Sequence, residues 1–288
     1  ANLRLADYLA TGPVVINGLV AIAIDANTMQ VVEQLVQSNH AGNLYWVLSD
    51  LPRPLVDLRR AFHGERNMWV LSMPGIEELM DPDKPLAADE ANRKLNAATQ
   101  PLGEGFGMLI LAHHQAAKEH LLKEGWPKEK VEALPPAQLA TIYMIGRYLY
   151  WRDEMFKWTT LPLSPKVLAE QEKVEQRIDD AVDAGEATPL VKFVPALAKS
   201  HVLNMRLERQ VTALRAIEAI RLHAAKHDGK LPDMLDAIDV VPVPNDPMTG
   251  QAFQYERTNA GFDLTGPFVE GMGEDDRLIY HVTWRIEE

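Results

Sequence analysis

The 288-residue chain contains no cysteine. That absence excludes a disulfide scaffold, a Cys-ligated zinc or iron–sulfur site, and thiol catalysis. Serine is scarce, with five residues, and no G-x-S-x-G, phosphate-loop or G-x-G-x-x-G pattern occurs. Basic residues are in deficit: 29 Lys and Arg face 41 Asp and Glu, a formal net charge of −12. A general nucleic-acid binder is excluded on that ground, because no surplus of cations exists to displace phosphate counterions. Long apolar runs are missing too. The longest, Val14 to Ile24, is interrupted by Asn17 and Gly18. Eleven residues of helix cover about 16 Å, roughly half a bilayer core, so a buried helix is expected there and not a transmembrane one.

What is present suits a folded protein. Hydrophobic residues make up 47% of the chain, and a chain of this size can bury about three quarters of its unfolded surface. The sequence opens Ala1-Asn2-Leu3 without an initiator Met. A tag, a signal peptide or a membrane anchor is therefore expected to have preceded it.

Helical periodicity dominates the first two thirds. Residues 3–11 read as a helix stopped by Gly12, with Pro13 suited to the first turn of the next. Val15, Leu19, Ile22, Met29, Val32, Leu35 and Val36 recur at helical spacing up to Gln37. Further helices are expected at 44–50, 55–71, 89–97, 108–124, 128–133 and 136–157, with a proline-rich, acidic surface loop at 74–88. Pro165, preceded by a capping Ser164, opens a helix to about Asp183. A long helix follows from Ala196 to His227. Residues 228–288 change in texture, with six glycines and five prolines punctuating short β-like runs at 252–256, 261–264 and 278–286. The last alternates with period two, the mark of a half-buried strand. The expected fold is mainly α, a multi-helix N-terminal body (1–195) followed by a small α+β module (196–288) made of a long helix and a short antiparallel sheet.

Candidate chemistry is sparse. His113, His114 and His120 lie beside Glu119 on the expected helix 108–124. Positions 113 and 120 sit about 10 Å apart along one helix axis, whereas a shared metal usually needs i,i+3 or i,i+4 spacing. Solvated or capping histidines are the better reading. Glu65, Arg66, Arg152, Asp153 and Glu154 form charged clusters beside aromatic segments. They are the candidates for carboxylate-based acid or base catalysis, against the commoner alternative of structural ion pairs. The acidic turn containing Glu270, Glu274, Asp275 and Asp276 offers the hard oxygen ligands preferred by calcium, although its spacing is not that of an EF-hand. A solvated turn is the ordinary alternative.

Two resemblances add to this reading. Residues Ala216–Pro232 (AIEAIRLHAAKHDGKLP), followed by Val243-Pro244-Asn245-Asp246-Pro247-Met248-Thr249-Gly250-Gln251 and Phe253-Gln254-Tyr255, are similar to the globular end of type II secretion pseudopilins. There, a long helix leads through a Gly-Pro turn into a small sheet. That resemblance implies a calcium-binding sheet loop, here the acids of 270–276. The hydrophobic N-terminal helix and peptidase signal of that family have no counterpart, so assembly into a fibre is not implied. The whole chain also resembles an uncharacterised family of planctomycete envelope proteins. The matching tracts are Leu5 to Pro13 leading into Gly18–Ile24, then Gly64-Glu65-Arg66, Arg152-Asp153-Glu154-Met155-Phe156-Lys157-Trp158 with Leu161-Pro162-Leu163, and the C-terminal motif.

Together these resemblances imply an extracytoplasmic protein, periplasmic or at the cell surface, held to the membrane only through an anchor upstream of Ala1. The expected function is non-catalytic binding or assembly with an envelope protein partner, without nucleic acid and without a cofactor unless calcium. A hydrolase-type enzyme using carboxylates and histidines of the helical body, and a calcium-stabilised structural module, are the alternatives.

Overall fold

Apolar residues at helical spacing dictate most of the architecture. The computed structural model describes residues 1–37, 42–103, 105–184, 191–192 and 194–284. Among these residues, twelve α-helices precede a three-stranded sheet. They are α1 (Asn2–Ala10), α2 (Val15–Gln37), α3 (Tyr45–Ser49), α4 (Arg59–Leu71), α5 (Ile76–Met80), α6 (Ala88–Thr99), α7 (Phe106–Ala112), α8 (His114–Lys123), α9 (Lys128–Ala133), α10 (Pro136–Thr159), α11 (Pro165–Asp183) and α12 (Val194–Lys226). The strands are β1 (Gln254–Arg257), β2 (Gly261–Thr265) and β3 (Ile279–Thr283). The chain is mainly α with a small α+β module, as its periodicity predicts.

Backbone proximity divides the chain into two compact units. One comprises residues 62–160 and 170–198, and its core surrounds α10. Tyr143, Met144, Tyr148, Trp151 and Met155 of that helix are buried with Leu79, Leu95, Ile110, Leu121 and Ile178. The aromatic density of 136–159 thus serves packing. The proline-rich stretch 74–88 was expected to be a loop, yet it contains α5. Ile76 and Leu79 are fully buried there, and apolar burial overrides weak local propensity. Gln138, itself buried, fastens the segment that follows. Its amide donates to the carbonyls of Asp81 (2.8 Å) and Lys84 (3.1 Å) and accepts from the Leu86 amide (3.0 Å).

The other unit comprises residues 1–61, 161–169 and 199–288. The sequence suggested a single cut near residue 195, but here the first 61 residues group with the C-terminal module. Two buried carboxylates on α12 account for this. Glu218 accepts from the Leu44 amide at 3.0 Å, and its carbonyl accepts from the Asn43 side chain at 2.8 Å. Glu208 accepts from Arg53 at 2.9 Å and from the Leu55 amide. Buried charges require such partners, and here the partners come from a stretch some 150 to 175 positions earlier. Tyr45 adds a bond from its hydroxyl to the Pro242 carbonyl (2.6 Å).

α2 runs to Gln37, as the helical spacing of Val15 to Val36 predicts. Its 23 residues are long and apolar enough to cross a membrane, by length and composition. Only 33% of its most apolar window is buried within the chain. Ala21, Ile22, Met29 and Val36 point inward, whereas Ile16 (66% exposed) and Val20 (44%) face outward.

The sheet is an antiparallel meander, β1-β2-β3, with Leu264 opposite both Tyr255 and Tyr280. Phe262 and Leu264 turn into the core, and on β3 Tyr280 is buried while Ile279 and His281 are exposed. The expected third strand extended to 286; residues 285 and 286 lie outside those described. Before the sheet, Asp246 builds a closed turn. Its Oδ1 accepts from the amides of Met248 (3.0 Å) and Thr249 (2.9 Å) and from the Thr249 hydroxyl (3.2 Å). Its Oδ2 accepts from Arg209 of α12 at 2.6 Å. Gly250 takes φ 71°, a left-handed value open to glycine at no steric cost.

Candidate functional site

The sequence-derived candidates are dispersed into ion pairs. Asp153 bridges two arginines, with Arg66 at 3.2 Å and Arg152 at 2.9 Å, and Arg152 also donates to the Arg66 carbonyl. Glu154, the next residue, engages Lys157 (2.8 Å) and Arg177 (3.3 Å). The Lys157 ammonium foremost, with Arg177, holds its carboxyl below the usual range. Such a carboxylate stays ionised at neutral pH, the wrong state for a general acid. Glu65 is half-buried on α4. Arg66, Arg152, Asp153 and Glu154 form the ion pairs weighed as the commoner alternative.

The histidine cluster does not form a site either. The expected helix 108–124 breaks at His113, which separates α7 from α8. His113 and His114 bond the carbonyls of Leu109 (2.8 Å) and Leu111 (3.2 Å). His120 lies 3.2 Å from Glu124 and packs on Tyr143.

Of the acidic turn, one carboxylate is paired within the chain. Asp276 pairs with Arg206 and accepts from the Gly273 amide at 3.0 Å. Glu270 and Glu274 are exposed, and the Asp275 side chain lies outside those described. The turn borders a cleft of about 320 Å³ lined by Arg209, Gln254, Phe268, Met272 and Arg277. The Asp276 carboxylate lines the same cleft, and Arg209 is itself paired with Asp246 at 2.6 Å.

One group of metal-ligand type does assemble, and it was not among the candidates. His223, His227 and Asp239 each offer a ligand atom, and these atoms lie within 4.8 Å of one another. Among the described residues, it is the one cluster of three or more such donors that does so.

The local sequence explains the assembly. Leu214, Ile217 and Ile220 bury the inner face of α12, and the Lys226 end is set by Asp228 (φ 54°) and Gly229 (φ 80°). The Gly229 amide returns to the Ala224 carbonyl at 2.8 Å, a helix-ending bond, and the Gly229 carbonyl accepts from the Trp284 indole at 2.9 Å. Pro232 then stops the helix from resuming. The chain turns through a short 3-10 segment at Leu235–Ala237. Val240, Val241 and Val243 pack back near Ala219 and Leu222. This return path carries Asp239 alongside the last turn of α12.

His223 and His227, four residues apart, share one face of the helix. Their rings lie 4.2 Å apart at an angle of 32°. His223 is buried, and its Nδ1 has no hydrogen-bond partner. Burial, then the neighbouring His227, holds the His223 imidazole below its ordinary pKa. The neutral ring, which carries a free lone pair, is thereby favoured. Asp239 receives Lys226 at 3.2 Å on both oxygens, and that ammonium keeps the carboxyl below the usual range.

Comparison of the chain with protein-family models, with curated proteins and with solved structures finds no match. What the structure itself defines is a mainly helical protein with an apolar, partly exposed N-terminal helix and a His-His-Asp cluster at the end of its longest helix.

Proposed function

We propose that the protein is a non-catalytic binding or assembly protein of the cell envelope, working outside the cytoplasm, with a C-terminal module of pseudopilin-like design. The observation that carries this reading is the set of apolar side chains left exposed on α1 and α2, two helices that pack on each other. Leu5 and Tyr8 of α1 and Ile16 and Val20 of α2 are all exposed. Exposed apolar groups gathered in one region mark a surface that meets a membrane or another protein. The buried face of α2 is engaged within the chain, where Gly18 abuts Leu58, so the helix pair is read as a peripheral element. The ion pairing of Arg66, Arg152, Asp153 and Glu154 favours this function over the hydrolase alternative, and the Asp276–Arg206 pair favours it over the calcium-stabilised module.

The test is flotation of the purified chain with vesicles of phosphatidylethanolamine and phosphatidylglycerol. The protein is expected to rise with the lipid, and the double substitution Ile16→Asp, Val20→Asp to return it to the aqueous layer. A wild-type chain that stays in the aqueous layer, and is monomeric by size exclusion, overturns the proposal.

A further inference from the structure

We propose that His223, His227 and Asp239 bind a divalent transition-metal ion of the zinc, nickel and copper class, tying the last turn of α12 to the segment that follows it. The site is independent of the envelope function proposed above.

The spacing comes first. Ligands on a tetrahedral ion with bonds of about 2.0–2.1 Å stand roughly 3.3–3.5 Å from one another. The three donor atoms already lie within 4.8 Å of each other, and His227 and Asp239 are exposed. Small side-chain rotations of these two close the remaining gap, while buried His223 supplies a fixed point.

Donor chemistry sets the class of ion. Two imidazoles and one carboxylate suit zinc, nickel or copper, whereas calcium and magnesium prefer all-oxygen shells. The unspent His223 nitrogen supports the same conclusion, because a buried ring atom without a hydrogen bond costs stability until something occupies it. The last carbonyls of a helix carry partial negative charge, so the end of α12 favours a cation. One cation is already there: the Lys226 ammonium spans both oxygens of Asp239. A metal ion would take over that carboxylate and release the lysine to solvent, a small loss for an exposed pair. Three protein ligands leave a fourth position for water or an added ligand.

The test is calorimetric titration of the chelator-stripped full chain with zinc ion alone. One ion per chain is expected, with a rise in melting temperature that EDTA reverses. Cobalt ion in place of zinc should give the visible bands of a four-coordinate site. His227→Ala and Asp239→Ala, both at exposed positions, each remove a ligand and are expected to weaken binding by more than the roughly 10–100-fold that loss of an outer-shell partner costs. His113→Ala should leave it unchanged. Lys226→Gln should tighten binding by removing the competing cation. Absence of stoichiometric binding overturns the proposal. So does undiminished affinity in both His227→Ala and Asp239→Ala, which would put the ion on other histidines.

Discussion

Asp246→Ala should destabilise the unit that carries the sheet by about 3–5 kcal/mol, the range for a buried ion pair broken from one side. The Asp246 side chain is wholly buried and that of Arg209 nearly so, at 0% and 4% exposure. Loss of the carboxylate strands the guanidinium away from water and removes three acceptor bonds from the turn before β1 at once. Arg209 does not re-solvate easily, because it also donates to the Pro267 carbonyl at 2.9 Å and reaches the Asp276 carbonyl at 3.5 Å. Asp246→Asn keeps an acceptor for the Met248 and Thr249 amides and should fall between the two. Urea denaturation followed by circular dichroism is the measurement. An alanine variant within about 1 kcal/mol of wild type would mean that the pair contributes no net stability.

Asp25→Asn should act in the opposite direction. Asp25 lies on α2 with 2% of its surface exposed, and its Oδ1 has no hydrogen-bond partner. Burial first, and the charge of Asp7 second, push its carboxyl up to about 6 from 3.8. The folded chain therefore holds this proton more tightly than the unfolded chain does. Stability falls as pH rises between those two values, and above about 6 the penalty is complete, on the order of 3 kcal/mol. At pH 7.5 the asparagine variant should gain about 2–3 kcal/mol. Well below 3.8, near pH 2.5, Asp25 is protonated in both states and the gain should vanish. Asp7→Asn, which removes only the smaller cause, should recover a fraction of it. Melting curves at the two pH values decide the matter: equal gain at both, or a loss at both, would show that charge burial is not the cause.

The contrast between these two carboxylates shows what a sequence can and cannot disclose. Turn chemistry is local. Asp228 and Gly229, with Pro232, end α12, and Asp246-Pro247-x-x-Gly250 makes the turn into β1. Both stand where the residues placed them, because glycine, proline and a short acid fix a backbone within four or five positions. Burial is not local. Nothing around Ile76 and Leu79 marks them as fully covered, so α5 reads as loop. The break at His113 likewise lies inside an unbroken apolar pattern.

The metal cluster falls between these cases. His223-Ala-Ala-Lys-His227 has the i,i+4 spacing that a shared ion requires, which the denser histidines 113–120 lack. Spacing, not density, was the usable signal. The third donor, Asp239, is twelve residues beyond His227 and arrives only because Val240, Val241 and Val243 fold back. The grouping of residues 1–61 with α12 was equally hidden, since it rests on what Glu208 and Glu218 need for partners.

The pairing of Asn43 and Leu44 with Glu218 has a consequence for biosynthesis. The Leu44 amide and its acceptor are separated by 174 positions. At a synthesis rate of about 5–20 residues per second, the acceptor emerges roughly 10–35 s after the donor. During that interval Asn43 and the Leu44 amide, which lead into α3, lack the partner that they have in the folded chain. An N-terminal fragment halted before residue 218 should accordingly leave the start of α3 unanchored, whereas the completed chain holds it against α12.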